Sequence, residues 1–107
     1  HTSEVFGVTG TCILFRSSVI RQTKGFWGIL KMYTDEVELF IRVHKLGGKV
    51  VYTGKTTVWH KYMQSTKQAT KTNYDKLKMR NWLLIALRHY SLRDKLRMIR
   101  DYLKFIF

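Results

Sequence analysis

The sequence predicts an α/β fold in which short strands alternate with helices and two helices close the chain. A β-branched apolar run follows a glycine at residues 8–15, as expected for a buried strand. Residues 35–46 carry apolar side chains at helical spacing, and two short apolar runs between glycines follow them. This alternation of strand and helix patterns is typical of α/β proteins.

The first half of the chain predicts one strand, one short helix and a loop. The run VTGTCILF at residues 8–15 forms the strand, and a short helix opens after it with Ser17 or Ser18 as its N-cap. Gly25 ends this helix. Residues 25–33, GFWGILKMY, are expected to form a glycine-punctuated aromatic loop.

The middle of the chain predicts a helix followed by two strands. The helix spans residues 35–46, with Thr34 as its N-cap and acidic residues in the first turn, where the helix dipole favours them. Gly47-Gly48 stops it. We expect strands at Lys49–Tyr52 and Thr56–Trp59, followed by a polar loop at residues 61–72.

Two helices are predicted at the end of the chain, from Asn73 to about Tyr90 and after Ser91, the expected cap. The second carries an apolar stripe at i, i+4, i+7, i+11 and i+14, with basic residues mostly off it. The stripe consists of Leu92, Leu96, Ile99, Leu103 and Ile106. The resulting domains are residues 1–72 and a basic amphipathic tail at residues 73–107.

Composition limits the class of protein. With 107 residues and 45% apolar side chains, the chain is one small globular domain and too apolar for a disordered one. Its net charge is +13, of which residues 1–60 carry +4 and residues 61–107 carry +9. Such a surface attracts polyanions, namely nucleic acid, anionic lipid or phosphorylated substrates.

The cysteine content and the length of the apolar runs indicate the cellular compartment in which the chain is expected. Cys12 is the only cysteine, which excludes an intrachain disulfide and suits a reducing, cytoplasmic location. The longest apolar run, Trp82 to Leu87, is too short to span a membrane. Because two or three strands make a poor sheet on their own, we expect an N-terminal half or a partner chain to supply the rest.

Four blocks of the sequence, in their order and spacing, resemble the inverting family 2 glycosyltransferases, with rhamnosyltransferase-like members as the nearest subgroup. The resemblance covers roughly residues 5–87. The blocks are residues 8–26, residues 33–42 (YTDEVELFIR), residues 46–60 (LGGKVVYTGKTTVWH) and Arg80-Asn81. It implies the C-terminal, acceptor-side half of a GT-A-like fold, of the kind that serves polysaccharide biosynthesis, followed by two helices.

The resemblance implies transfer of a sugar from a nucleotide diphosphate sugar to an acceptor hydroxyl, with inversion. The family places its general base second in a Glu-Asp pair, and this chain has the reversed pair Asp35-Glu36. Glu36 therefore occupies the base position with one extra methylene. A shift of about an ångström costs on the order of a hundredfold in rate, so the reversal bears on catalytic competence.

The resemblance also implies binding roles for other residues. His60 matches a histidine near the diphosphate or its metal ion, which implies a divalent metal such as Mg or Mn. The family's metal-binding Asp-x-Asp motif is not in this sequence, so the chain alone is expected to be inactive. The substrate-binding positions are Gly10, Thr11, Trp27, Glu38, Arg42 and Arg80.

Each of these residues also has a purely structural interpretation. Asp35 and Glu36 complement a helix dipole, Glu38 and Arg42 form an ion pair on the helix surface, and Arg80-Asn81 caps a neighbouring element. His44 and His89 are expected on helix surfaces, and Gly10 and Thr11 permit close packing. These alternatives remain open at the level of the sequence.

Two other functions compete with the transferase. A catalytically inactive remnant would act as a membrane-surface or protein interaction domain, through the basic amphipathic tail on an anionic membrane. A nucleic-acid-binding module would use the positive charge and the aromatic residues, but no recognised nucleic-acid motif occurs. For the transferase, the expected partners are the donor, a sugar or lipid-linked acceptor and the cytoplasmic membrane face, without nucleic acid.

Overall fold

A computed structural model describes residues 2–61 and 71–106. These residues form a small antiparallel sheet and four α-helices, with a short 3₁₀ turn at Gly28–Leu30. The elements are β1 Thr2–Val5, α1 Ser17–Thr23, α2 Asp35–Lys45, β2 Val50–Thr53, α3 Lys71–His89 and α4 Leu92–Ile106. The described structure is thus mainly helical, and its assignment to half of a GT-A-like fold stays a prediction.

The sheet differs from the sequence-based expectation. β2 confirms the predicted strand at Lys49–Tyr52 to within a residue, but its antiparallel partner is β1, which the sequence pattern did not indicate. The strands predicted at residues 8–15 and Thr56–Trp59 are wrong, because both segments are irregular. A strand needs a hydrogen-bonded neighbour, and within the described residues β2 pairs with β1.

Residues 8–15 nevertheless contribute to the core as an irregular segment. Val8, Ile13 and Phe15 pack against the buried cluster, whereas Leu14 is 98% exposed. The buried cluster consists of Leu39, Phe40, Val43 and Val50. The apolar character of the run therefore reflects packing against α2 rather than pairing in a sheet.

The helix boundaries agree with the sequence better than the caps do. α1 begins after Arg16 without a side-chain cap, so the caps predicted at Ser17 or Ser18 are wrong. It ends at Lys24 and Gly25, two successive left-handed residues with φ of 63° and 78°. Thr34 precedes α2 as predicted, but its hydroxyl donates to the Tyr33 carbonyl and does not cap the helix.

The two C-terminal helices behave differently. α3 packs against α2 and buries Asn81, Ile85 and Ala86. α4 begins at a true N-cap, because Ser91 Oγ accepts a bond from the Asp94 amide at 3.2 Å and donates to Asp94 Oδ2 at 3.0 Å. The predicted cap is therefore confirmed. α4 buries none of its residues.

The loop predicted at residues 61–72 lies mostly outside the described residues, and its last two positions already belong to α3. Within the described ranges, no helix combines the length and the apolar character that a membrane span requires.

Candidate functional site

An open groove lies beside the N-terminal turn of α2. Its volume is about 670 Å³, and it is lined mainly by apolar side chains with one carboxylate among them. The lining residues are Val5, Phe6, Gly7, Val8, Thr9, Glu36, Val37, Phe40 and Tyr52. The groove therefore forms between α2, the sheet and the irregular segment that follows β1.

Glu36 supplies the carboxylate of this groove. Its carboxylate is half-buried, and a methyl group placed on Gly10 would lie 3.5 Å from Glu36 Oε2. Burial raises the pKa of the Glu36 carboxyl above its usual value, and the hydrogen bond and charge of Asp35 raise it further, while a backbone hydrogen bond opposes them. A carboxylate with a raised pKa is a stronger base.

The next acidic residue of α2, Glu38, lies in a different environment. Its side chain is fully buried and contacts three basic side chains, Arg42, Arg88 and His89. The distances are 2.7 Å from Glu38 Oε1 to Arg42 Nη2, 3.2 Å from Oε2 to Arg88 Nη1 and 2.8 Å from Oε2 to His89 Nε2. We call these four residues the Glu38 cluster.

The cluster corrects two expectations. The Glu38–Arg42 ion pair is confirmed, but its predicted place on the helix surface is wrong because Glu38 is inaccessible to solvent. The surface position predicted for His89 is wrong as well, since its side chain is 6% exposed. His44 is partly exposed on α2, where it stacks on the Phe6 ring and contacts the Phe6 carbonyl through Nε2.

The tautomer of His89 is indicated by its second contact. Lys45 Nζ lies 2.7 Å from His89 Nδ1. An ammonium group only donates, so Nδ1 accepts and the ring proton resides on Nε2, which donates to Glu38. In this tautomer His89 contributes a hydrogen-bond donor to the cluster beside the guanidinium groups of Arg42 and Arg88.

Arg42 connects the cluster to the loop after α1. Its Nη1 donates to the Thr23 carbonyl at 2.6 Å and its Nη2 donates to the Gly25 carbonyl at 2.8 Å. The left-handed turn at Lys24 and Gly25 exposes these carbonyls to the guanidinium. Arg42 thus fixes α1 against α2, and its guanidinium lies within this network.

Asn81 holds the chain that leads into α2. Its amide nitrogen donates to the carbonyls of Leu30, Met32 and Tyr33 at 2.9, 2.7 and 2.8 Å. Arg80 donates to Asn81 Oδ1 and to the Ile29 carbonyl. This confirms the capping interpretation of Arg80-Asn81.

The segment held by Asn81 contains strained backbone. Lys31, Tyr33 and Thr34 have φ between 58° and 69°, a region that residues with a Cβ rarely adopt. Buried hydrogen bonds of this kind keep such conformations in place. Asn81 therefore holds the backbone from Leu30 to Tyr33, which leads into α2.

The remaining predicted site residues lie apart from the groove lining. Trp27 stacks under Arg88, whose Cζ lies 4.5 Å from the ring centre. Thr11 and His60 are exposed. Of the predicted site residues, the structure brings together Gly10, Asp35 and Glu36, whereas Glu38, Arg42, Arg80 and Trp27 engage in contacts with the protein itself.

The metal site predicted at His60 stays a prediction. Within residues 2–61 and 71–106, no three His, Cys, Asp or Glu side chains are grouped so that they could hold an ion.

The long-range members of the Glu38 cluster were not recognised from the sequence. The spacing of Glu38 and Arg42 indicates a pair on one helix, but Arg88 and His89 lie about fifty positions away. The available signal was an acidic residue one turn before an arginine, in a stretch whose other side chains from Val37 to Val43 are apolar.

Comparison with known proteins adds no relative. The chain matches no protein-family model, and neither a curated protein nor a solved structure shows significant similarity to it.

Proposed function

We propose that this chain is the acceptor-side part of an inverting glycosyltransferase and that Glu36 is its general base. The observation that carries the proposal is the half-buried Glu36 carboxylate at the groove, with Gly10 beside it and a raised pKa. The resemblance to family 2 glycosyltransferases assigns the base to this position.

In the proposed reaction the groove holds the acceptor. Glu36 accepts the proton of the acceptor hydroxyl as its oxygen forms a bond to the anomeric carbon of the donor. The bond from that carbon to the nucleotide diphosphate breaks on the opposite face, which inverts the configuration. Asp35 strengthens the basicity of Glu36 because its negative charge disfavours a second carboxylate charge nearby.

The groove suits the non-reacting part of a sugar or lipid-linked acceptor. Its apolar lining offers contact for ring faces or a hydrocarbon chain. Gly10 leaves room beside Glu36 Oε2, so a hydroxyl can approach the carboxylate. The Glu38 cluster and Asn81 support the groove from behind by fixing the first turn of α2.

In this proposal the described residues supply the acceptor side only. The proposal assigns the nucleotide diphosphate and a divalent Mg or Mn ion to a donor-binding half or partner chain, with His60 contributing to the metal or diphosphate. We therefore expect the 107-residue chain alone to show no calorimetric binding of UDP or dTDP, with or without manganese.

The decisive test uses the full polypeptide that carries these residues and its donor-binding half. Glu36→Gln keeps the size of the side chain and removes the base. We expect at least a hundredfold loss of sugar transfer with unchanged nucleotide binding, in line with the usual contribution of a general base, about 10²–10⁴-fold. Glu4→Gln, on the exposed face of β1, is the matched control and retains full transfer.

Equal turnover by the Glu36→Gln variant and the parent would refute the base assignment. Glu36→Asp sharpens the test because it restores the shorter carboxylate of the family. An increase in kcat for Glu36→Asp supports the proposed reaction geometry, and a loss as large as that of Glu36→Gln contradicts it.

A further inference from the structure

The apolar stripe of α4 lacks a partner within the described structure. Each of its residues is between 46% and 73% exposed, and α4 buries none of its side chains. An exposed Leu is ordinary, but five large aliphatic side chains in one row along a helix form a contiguous apolar surface. An exposed apolar surface of this kind marks an interaction site.

Charge is arranged around this stripe in a fixed pattern. At about 100° per residue, four basic residues follow one flank of the stripe, and both aspartates of α4 lie on the opposite side of the helix. We call the first group the basic flank; it consists of Arg93, Arg97, Arg100 and Lys104. On the other flank lie Lys95 and Tyr102.

The surplus of charge on α4 is positive. Five basic residues face two aspartates, Asp94 and Asp101, and each aspartate pairs with an arginine of the same helix. These pairs are exposed and easily exchanged for other anions. A helix with an apolar face, a basic flank and acidic residues turned away matches the requirements of an anionic lipid surface.

We propose that α4 is a membrane-surface helix that binds anionic lipid, with its apolar stripe in the acyl boundary and its basic flank among the phosphate headgroups. The occupant is a lipid surface rather than a second copy of the chain. Two copies joined through the stripe would bring two basic flanks together, each with four cations against only two aspartates, which already pair with Arg97 and Arg100. The inference uses no groove residue and is independent of the proposed transferase activity.

The structure also explains why α4 can serve this purpose without loss of the fold. The Ser91–Asp94 cap begins the helix through local bonds, and no core residue belongs to α4. Substitutions on the stripe therefore remove lipid contact and leave the buried residues of the body unchanged.

The test is sedimentation of the 107-residue chain with vesicles of phosphatidylcholine alone or mixed with half as much phosphatidylglycerol. Three surplus charges predict partitioning that is about a hundredfold stronger on the anionic vesicles. Raising the salt concentration reduces that preference, because surface attraction is screened.

Paired variants separate the two parts of the proposal. Leu96→Ser with Ile99→Ser lowers binding to anionic vesicles more than tenfold by removing apolar contact. Phe105→Ser is the matched control: this side chain is 90% exposed but lies away from the stripe, and its loss leaves binding unchanged. Arg93→Gln with Lys104→Gln lowers binding about twentyfold on anionic vesicles and leaves binding to phosphatidylcholine unaffected.

Several outcomes would overturn the proposal. Equal binding to both vesicle types excludes the anionic surface, and equal binding by the stripe variant and the Phe105 control excludes the stripe. A dimer in sedimentation equilibrium that the stripe variant abolishes would identify a second copy as the occupant. Circular dichroism of each variant checks that α4 remains helical.

Discussion

Helix α2 presents two carboxylates, two residues apart, to opposite environments. Glu36 lies at an open groove, half-buried, beside Asp35 and a glycine. Glu38 points about 200° away around the helix, into the body of the protein, where it contacts Arg42, Arg88 and His89. One side of the helix leaves its acid available for chemistry, and the other uses its acid to hold the fold together.

The difference lies in what compensates each charge. Every oxygen of Glu38 has a charged or hydrogen-bonding partner, so its burial is stable. Burial disfavours the charged form of Glu36, and the side chain beside it, Asp35, is another acid that disfavours it further. Identical side chains on one helix therefore acquire different roles, and substitutions on the two sides should differ accordingly.

The largest effect is expected from Glu38→Gln. Removing this charge leaves Arg42 and Arg88 without their common carboxylate, and breaking a buried pair costs about 3–5 kcal/mol of unfolding free energy. Because Arg88 is partly exposed, we expect about 3 kcal/mol. Urea denaturation at neutral pH measures the change.

The control for this prediction is the same substitution on the other side of the helix. Glu36→Gln should not lower the unfolding free energy. The groups that shift the pKa of Glu36 are a backbone hydrogen bond and Asp35, and neither is a basic side chain that would lose a partner. Equal loss of unfolding free energy in the two variants would contradict the prediction that Glu38, and not Glu36, stabilises the fold.

A smaller effect is expected from glycines on the groove side. A methyl group at Gly7 would lie 2.5 Å from Phe40 Cδ2, a core ring that is 2% exposed, so Gly7→Ala should cost about 1–3 kcal/mol through overpacking. At Gly10 the same methyl would meet Glu36 Oε2 at 3.5 Å, an ordinary contact.

Gly10→Ala is therefore the matched control, with a change within about 0.5 kcal/mol in thermal or urea unfolding. It should also hinder approach of a hydroxyl to Glu36 without unfolding the protein. If Gly10→Ala were the more damaging substitution, the groove would be more tightly packed than the contacts of Glu36 indicate.

The smallest effect is the pH dependence linked to Glu36. Its folded pKa is raised above the ordinary value of 4.5, so the protonated acid contributes stability that is complete below 4.5 and is lost as the pH rises through the folded pKa. The stability of Glu36→Gln relative to the parent should therefore grow as the pH rises from 4.5 upward. Carboxyl carbon NMR gives the pKa directly, and a value at or below 4.5 would contradict the prediction.

The helices were largely predictable from the sequence. Thr34, the acidic first turn and Gly47 placed α2 within a residue, and Ser91 placed the start of α4, because these signals act within a few positions along the chain. The strands were less predictable. The apolar run at residues 8–15 looks like a strand, yet strand pairing depends on a neighbour that the run itself does not specify.

The residues around the candidate site were likewise predictable from the sequence only in part. The resemblance placed Asp35, Glu36 and Gly10 in one site; Asp35 and Gly10 do lie beside the Glu36 carboxylate, and their functional role stays a prediction. Trp27 was predicted at the substrate but stacks under Arg88. The partners of Glu38 from α3 depend on how two helices pack, which no local pattern reports.

The sequence by itself determined the helical segments, the Ser91 cap, the apolar stripe of α4 and the basic surplus, since each depends on residues close together along the chain. The tertiary structure alone decided the pairing of β1 with β2, the contacts of Glu38 with Arg88 and His89, and the hydrogen bonds from Asn81 to the segment before α2. Each of these joins residues about fifty positions apart, and only packing of the folded chain brings such residues together.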